Sequence, residues 1–491
     1  MWTEAGLPAE LQQVLPRLHR SSAPKPEPGI VHLGLGAFFR AFGAIYIEDA
    51  VNASGGDWGI VGVSLRSPDT RDRLAPQDWA YTSVELAPDG EKLRQVEIVR
   101  EVLVAQEDPQ AVLDRMADPA IRIVSLTVTE KGYCHDPATG RLNPNHPDIV
   151  HDLENPLPVS APGFLVRALQ RRRAAGQFPF TVLTCDNLPG NGMLVRGIVL
   201  DFARRLDPAL ADWIKAEARF PSTMVDRITP ATKPEDIDRL AETTGVLDEA
   251  PVLHEPFRQW VVEDDFVRGY GKDARPDLAS SGVEMVEDVT PYEHMKLRML
   301  NGTHSSLAYL GYMAGHETIA ETVADPVFAI FVNRLWREEI IPSVAPPAGI
   351  DLGDYAKALF DRYANPAIRH RTWQIAMDGS QKLPQRILGT IADDLRSARP
   401  CPGLILAVAA WMRYVGGVDE KGQAIEVRDP LADRLRALSD GGETPEAKVA
   451  ALLSVREIFD AELAEHLVGP LTRAYRALLA LGTRKALETL A

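Results

Sequence analysis

The stretch Gly29-Ile30-Val31-His32-Leu33-Gly34-Leu35-Gly36-Ala37-Phe38-Phe39-Arg40-Ala41-Phe42 decides the fold. Its first five residues form a short apolar run that reads as a buried strand, and glycine follows at once. A helix through Ala41, Ile45 and Ile47 completes a strand-turn-helix unit. Gly34 and Gly36 let backbone amides approach a pyrophosphate, which also gains from the positive end of the following helix. The usual third glycine position is taken by Phe39, and a strand-turn-helix with no ligand is the competing reading. Arg40 is placed either to neutralise phosphate charge or to form a surface pair on the first helical turn.

Working outward, residues 58–65, 121–128 and 180–185 read as further buried strands, with helical stretches between most of them. This alternation predicts a parallel sheet covered on both faces, with ligands beyond the carboxyl ends of its strands. The carboxylate expected to hold a ribose at the end of the second strand is absent: Leu65 is followed by Arg66 and Ser67, with Asp69 a little later. An arginine there suits a 2′-phosphate, so NAD and NADP both stay open. From Tyr292 onward, long amphipathic stretches such as 323–341 and 446–467 take over, and this half is predicted to be mainly helical. The acidic, glycine-containing tract 271–288 is the expected border. The fold class is therefore α/β, with a Rossmann-type dinucleotide-binding domain over 1–285 and a mainly α-helical substrate-binding and catalytic domain over 286–491.

A chain of 491 residues, 45% of them hydrophobic, is too long for one core. The formal net charge of -16 repels phosphate backbones and speaks against nucleic-acid binding. Apolar runs such as 404–412 are far shorter than the roughly 20 residues of a membrane helix. Met1-Trp2-Thr3-Glu4 has neither the basic nor the apolar region of a signal peptide, so a cytoplasmic location is expected. Cys134, Cys185 and Cys401 are odd in number and form no CxxC pair, which reads as reduced thiols. His135, His146 and His151 share one loop but lack zinc-site spacing, so no metal is expected. Monomer and small homo-oligomer are both open.

Chemistry concentrates in Tyr292-Glu293-His294-Met295-Lys296-Leu297-Arg298-Met299-Leu300-Asn301-Gly302-Thr303-His304. On a helix at ~100° per residue, Lys296, Glu293, His304 and Asn301 fall at about 0°, 60°, 80° and 140°. A lysine on a poorly solvated face has its pKa lowered toward the range in which it exchanges protons with a carbinol oxygen. On this reading Lys296 is the acid/base, Asn301 donates to the developing oxyanion, His304 orients a hydroxyl and Glu293 relays protons. A solvated helix face is the competing reading. Asn187, in the strand-end loop Asp186-Asn187-Leu188-Pro189-Gly190, is a second donor to the substrate oxygen, or part of a glycine-rich turn with no ligand. Thr129 and Glu130 end another strand and are placed toward a nicotinamide.

Together these segments resemble the polyol-specific long-chain dehydrogenase/reductase family. The match runs from residues 32–38 through Thr129-Glu130-Lys131-Gly132-Tyr133, Cys185-Asp186-Asn187, residues 224–230 and Glu255-Pro256-Phe257 to the Lys296 segment and Asp378-Gly379-Ser380. Lys-x4-Asn-x2-His is the family's catalytic signature. The resemblance implies a Rossmann-type domain that holds NAD at Gly34, Gly36, Ala37 and Phe38, a helical second domain, and hydride transfer without zinc. It also implies Lys296 as general acid/base, Asn187 and Asn301 on the reacting oxygen, Glu293 as proton relay, and His304, Asp226 and Lys382 on substrate hydroxyls. The chain departs from the family at Phe39 and Phe42, where histidines are usual, and at Gln374, where mannitol-type members carry arginine. Residues 370–386 are most similar to the fructuronate reductases of the family. That implies reversible reduction of D-fructuronate to D-mannonate, the hexuronate carboxylate meeting Arg371, Lys382 or Arg386 unless these hold helix ends or surface acids. Interconversion of D-mannitol and D-fructose is the alternative, and a sensor without catalysis, prompted by Phe39 and Phe42, is another.

Overall fold

The computed structural model describes residues 15–23, 25–137 and 139–490. The first four residues, read above for a signal peptide, lie outside that range. The chain divides between Thr290 and Pro291 into two compact units.

The first unit is built on five parallel strands: β1 (Pro28–Leu33), β2 (Gly59–Ser64), β3 (Val99–Val104), β4 (Ile123–Leu126) and β5 (Thr181–Thr184). They lie in the order β3-β2-β1-β4-β5. The strands are runs of Val, Ile and Leu because both faces of the sheet are covered. Val31, Val61, Val124 and Val182 join one apolar cluster, while Ile30, Ile60 and Ile123 join another. The sheet grows to one side from β1 to β3 and then to the other side through β4 and β5. The turning point lies between β1 and β4, where a parallel sheet of this kind opens a ligand crevice beyond the strand ends.

Two further three-stranded sheets were not legible as alternating segments. Tyr81–Ala87 pairs antiparallel with Gly90–Val96 and parallel with Val252–His254. Thr223–Asp226 runs antiparallel to Gln259–Glu263, which pairs parallel with Glu284–Val286. These strands are short, and Gly90–Val96 is mostly solvent-exposed, so hydrophobicity marks them weakly.

The helix after β1 is interrupted: it runs Ala37–Ala41, breaks at Phe42 and resumes as Gly43–Ser54. Phe39 is fully buried and stacks on the His32 ring of β1, with centroids 3.4 Å apart and planes 9° apart. Gly43, one turn later, makes room for it, since a Cβ there would strike the Phe39 ring. The glycine missing at position 39 is thus replaced by an aromatic plate against the strand, with a compensating glycine four residues on. Phe42 is also fully buried, against Tyr46 and Trp260. Both departures from the family pattern are core packing.

The second unit has no strand among its described residues. The expected helix over 323–341 is divided, because Asp325 caps a new helix that starts with Pro326. That over 446–467 is divided too: Pro445–Leu453 ends, and Asp460 caps Ala461–Leu481. Thr303–Ala314, Pro402–Tyr414 and Ala461–Leu481 form the middle of the unit, with Tyr309, Trp411 and Tyr414 buried. Among the described residues no helix is long and apolar enough to cross a membrane. Cys134, Cys185 and Cys401 are buried and unpaired with one another.

Gly34 has φ +90, and a Cβ on it would collide with the Thr127 carbonyl oxygen. Gly34→Ala is therefore expected to destabilise the first unit by ~2 kcal/mol from backbone strain alone. A urea titration followed by circular dichroism measures the loss, and an unchanged midpoint would show the turn to be unstrained.

Candidate active site

In the first unit, the loops after β1 and β4 are locked together at the turning point. Thr127 donates its amide to Leu33 O at 3.0 Å and its hydroxyl to Gly34 O at 2.8 Å. Buried His32 bridges Ser125 Oγ and Thr127 Oγ1, both at 2.8 Å, and burial lowers its pKa to about 3. The imidazole is a neutral structural strut. Gly36 is exposed, and a Cβ there would come no nearer than 3.8 Å to any heavy atom beyond its chain neighbours. Ala37, Phe38 and Phe39 follow as the first helical residues, whose amides have no carbonyl four residues back within the helix. An open glycine followed by three donor amides fits a dinucleotide pyrophosphate.

Asp186 organises the neighbouring strand ends. Its buried carboxylate accepts from the amides of Val128 and Thr129, each at 3.0 Å, and from the Tyr133 hydroxyl at 2.7 Å. It holds Thr129 at φ +63 and Glu130 exposed beside it. Asn187 stands next to it, exposed at the end of β5. Asn191 bonds Asp186 O and Thr223 O, both at 2.9 Å, which ties in the strand whose last residue is the buried Asp226. Asp186 has no role assigned from the sequence, although a carboxylate two residues past a strand is the available signal. Arg66 and Asp69 are both exposed just beyond β2.

Arg40 requires a correction. It is 8% exposed, its Nη1 donates to Ala250 O at 2.5 Å and its guanidinium lies 5.2 Å from the Tyr81 ring centroid. The side chain is consumed inside the first unit, because the helical turn directs it toward the core and not to the phosphate turn or the surface. Neither sequence reading of it stands.

In the second unit, the Lys296 segment is helical but not α-helical throughout. Thr290–Met295 passes into a π turn, Lys296–Gly302, and then into the α-helix Thr303–Ala314. Rotation at 100° per residue therefore fails here. In i→i+5 winding each residue turns through less than 100°, so Asn301 falls on a face nearer to that of Lys296 than α-helical spacing gives. Lys296 is 7% exposed, Glu293 and Asn301 are half-buried, and His304 is 8% exposed. The carbonyls loosened by π winding find side-chain donors: Trp336 Nε1 bonds Met299 O at 3.1 Å, and the Tyr363 hydroxyl bonds Leu300 O at 2.8 Å. A Cβ on Gly302 would lie 2.5 Å from Arg386 O, so this glycine lets the turn rest directly on a second π turn, Pro384–Leu388.

Around His304 the second unit gathers groups distant in sequence. His370 meets it edge-on at 4.6 Å and Tyr363 stacks at 5.4 Å. Arg386 Nη1 donates to Ser305 Oγ at 3.2 Å. Burial, followed by the charges of His370, Arg386, Arg362 and Lys382, lowers the His304 pKa well below its usual value. Burial and then Arg386 bring Lys382 down to about 8, and burial and then Lys382 bring His370 to about 4. Lys382 and Arg386 thus join the cluster. Arg371 does not: half-exposed, it faces the Glu317 carboxylate at 3.6 Å because its backbone bridges Thr318. Arg362 and His370 carried no sequence signal, since only the fold brings them to His304.

His146 associates not with His135 and His151 but with Cys134 and Asp148, their ligand atoms lying within 4.8 Å of one another. Burial and then Asp148 push the Cys134 thiol up to about 12.

With depressed pKa values, His304 and His370 contribute stability that is complete above about pH 6.5 and is lost as pH falls toward their folded values. Each is expected to cost ~1.4 kcal/mol per pH unit below 6.5. Urea midpoints at pH 7 and 5.5 test this; His370→Asn should flatten the decline, and an equal decline in that variant would refute the assignment.

Residues 28–272 match the Mannitol dehydrogenase Rossmann domain family and residues 288–479 the Mannitol dehydrogenase C-terminal domain family. The D-mannonate oxidoreductase of Escherichia coli (strain K12) is 45% identical over 94% of this chain and 96% of its own. The uncharacterized oxidoreductase YeiQ of the same organism is 48% identical over 93% of both chains. The Pseudomonas fluorescens mannitol 2-dehydrogenase ternary complex with NAD and D-mannitol superposes with a TM-score of 0.82 at 40% identity, covering 99% of both chains.

Proposed function

The chain belongs to the mannitol dehydrogenase family of oxidoreductases, and from that premise we propose that it reversibly reduces D-fructuronate to D-mannonate with NAD as coenzyme. The observation that carries the substrate is the basic cluster around His304, in a chain 45% identical to a D-mannonate oxidoreductase along nearly its whole length. NAD is supported by the turn at Gly34 and Gly36 and by the NAD-bound relative.

Bound nicotinamide supplies the hydride to the substrate carbonyl carbon, or accepts it in reverse. The residues of the chain hold and move the rest. The amides of Ala37 and Phe38 hold the pyrophosphate, Arg66 and Asp69 stand at the ribose, and Thr129 and Glu130 border the nicotinamide. Lys296, kept from bulk water, gives its Nζ proton to the carbonyl oxygen as that oxygen gains charge, and recovers it through Glu293. Asn301, on the same helical segment, donates to that oxygen, and Asn187 is assigned the same role by the family resemblance. Neutral His304 and the Asp226 carboxylate bond hydroxyls of the sugar, and Lys382 meets its acidic end. The reaction is written without a metal, since lysine supplies the proton.

Interconversion of D-mannitol and D-fructose is the second reading, supported by relatives such as the Aspergillus terreus mannitol 2-dehydrogenase, 40% identical over 91% of the chain. Gln374, where mannitol-type members carry arginine, speaks for the uronate. Steady-state rates on D-fructuronate and D-fructose with NADH and NADPH are expected to be highest for fructuronate with NADH. Preference for fructose would retire the uronate reading, and preference for NADPH the coenzyme assignment. Lys296→Ala should lower kcat by ~10²–10⁴-fold while NADH affinity, read by fluorescence titration, hardly changes. Wild-type turnover in that variant would remove the lysine from the mechanism.

A further inference from the structure

We infer that His370, Lys382 and Arg386 form a carboxylate subsite beside His304, in which His370 determines the preference for a sugar acid over a neutral polyol or ketose. The inference rests on the fructuronate reading and adds to it the group that reads the acid.

His370 is packed inside the second unit, edge-on to His304. Its Nδ1 is buried without a hydrogen-bond partner among the described residues. Leaving such a nitrogen unpaired is unfavourable, and an unsatisfied buried polar atom calls for an explanation. With the proton on Nδ1, the ring is a donor for an oxygen that a ligand brings. Lys382 lies close enough to depress the pKa of both imidazoles. Its Nζ donates to Met377 O at 2.6 Å and to Ile375 O at 3.4 Å, leaving a third N–H. Those two carbonyls fix where the ammonium points. Arg386 is anchored from two sides: its backbone lies against Gly302, and one guanidinium nitrogen is held by Ser305.

The charge balance argues in the same direction. After burial, the largest influences on His304 come from His370, Arg386, Arg362 and Lys382, all of them basic. Asp378 and Asp429 act on Lys382 only after burial and Arg386, and Asp429 is already engaged by the amide and hydroxyl of Ser380. A neutral polyol offers these partly buried cations only hydroxyl acceptors, whereas a carboxylate also balances their charge and accepts a further bond from the imidazole. Arg371, the more obvious cation in the sequence, is turned to Glu317 and takes no part.

The test compares wild type, His370→Phe and His370→Asn as full-length enzyme. Phenylalanine keeps a ring against His304 and removes both nitrogens, while asparagine restores a donor near Nδ1. For His370→Phe, KM for D-fructuronate is expected to rise on the order of 10–100-fold with kcat little changed, and the fructuronate-to-fructose ratio of kcat/KM to fall by the same factor. The Kd for D-mannonate by isothermal titration should rise in parallel, and His370→Asn should recover part of each loss. An unchanged selectivity ratio in a folded His370→Phe, or equal losses on both substrates, overturns the subsite and leaves the reductase reading standing. Wild type that neither turns over D-fructuronate nor binds D-mannonate overturns the reductase reading itself, and the subsite falls with it.

Discussion

The second unit of the protein depends on a side chain that is absent. Because Gly302 has no Cβ, the π turn Lys296–Gly302 lies against the backbone of Arg386, and two irregular helical turns share one contact. A π turn is poorly stabilised on its own, since its hydrogen bonds leave the regular ladder. Trp336 and Tyr363 supply donors to Met299 O and Leu300 O, so winding that would cost stability in isolation is held in place by the surrounding unit.

The same economy governs the first unit. The Gly34 turn is fixed to Thr127, which His32 and Ser125 brace from within the sheet, and Asp186 holds the Val128 and Thr129 amides from the next strand end. Three loops at the strand ends are thereby joined by buried polar groups that have neither freedom nor solvent. Their role is positional, and the neutral state of His32 suits it, since a charge there would disrupt the cluster that carries it.

How much of this was legible follows from the range of each interaction. The parallel sheet was legible because strands buried on both faces must be apolar runs, and glycine must follow where the chain turns beneath a ligand. That Lys296, Asn301 and His304 lie on one helical segment was legible, but its winding was not, since five residues per hydrogen bond leave no mark on hydrophobic periodicity. Arg40 was misread, and the alternatives for Arg371 stayed open, because an arginine in a motif is indistinguishable from one bonded to a carbonyl or to a neighbouring acid until the chain is folded. Arg362 and His370 escaped because their role arises from contacts across some 60 residues of sequence. Replacement of the missing turn glycine by Phe39 and Gly43 is local, but it concerns volume and not pattern.

A final constraint is electrostatic. The chain carries a net charge of -16, yet the second unit places Lys382, Arg386 and Arg362 together where burial disfavours the charge of the first two. Distant acids do little for such a cluster, because solvent and salt screen charges more than about 10 Å away. The imidazoles among these cations respond by staying neutral, so they neither add to the repulsion nor compete for an anion. Substrate charge would be received by groups already desolvated and already oriented by Met377, Ser305 and the Gly302 contact. Little reorganisation then opposes binding, and what the folded chain gives up in stability by confining these cations is returned when an anion joins them.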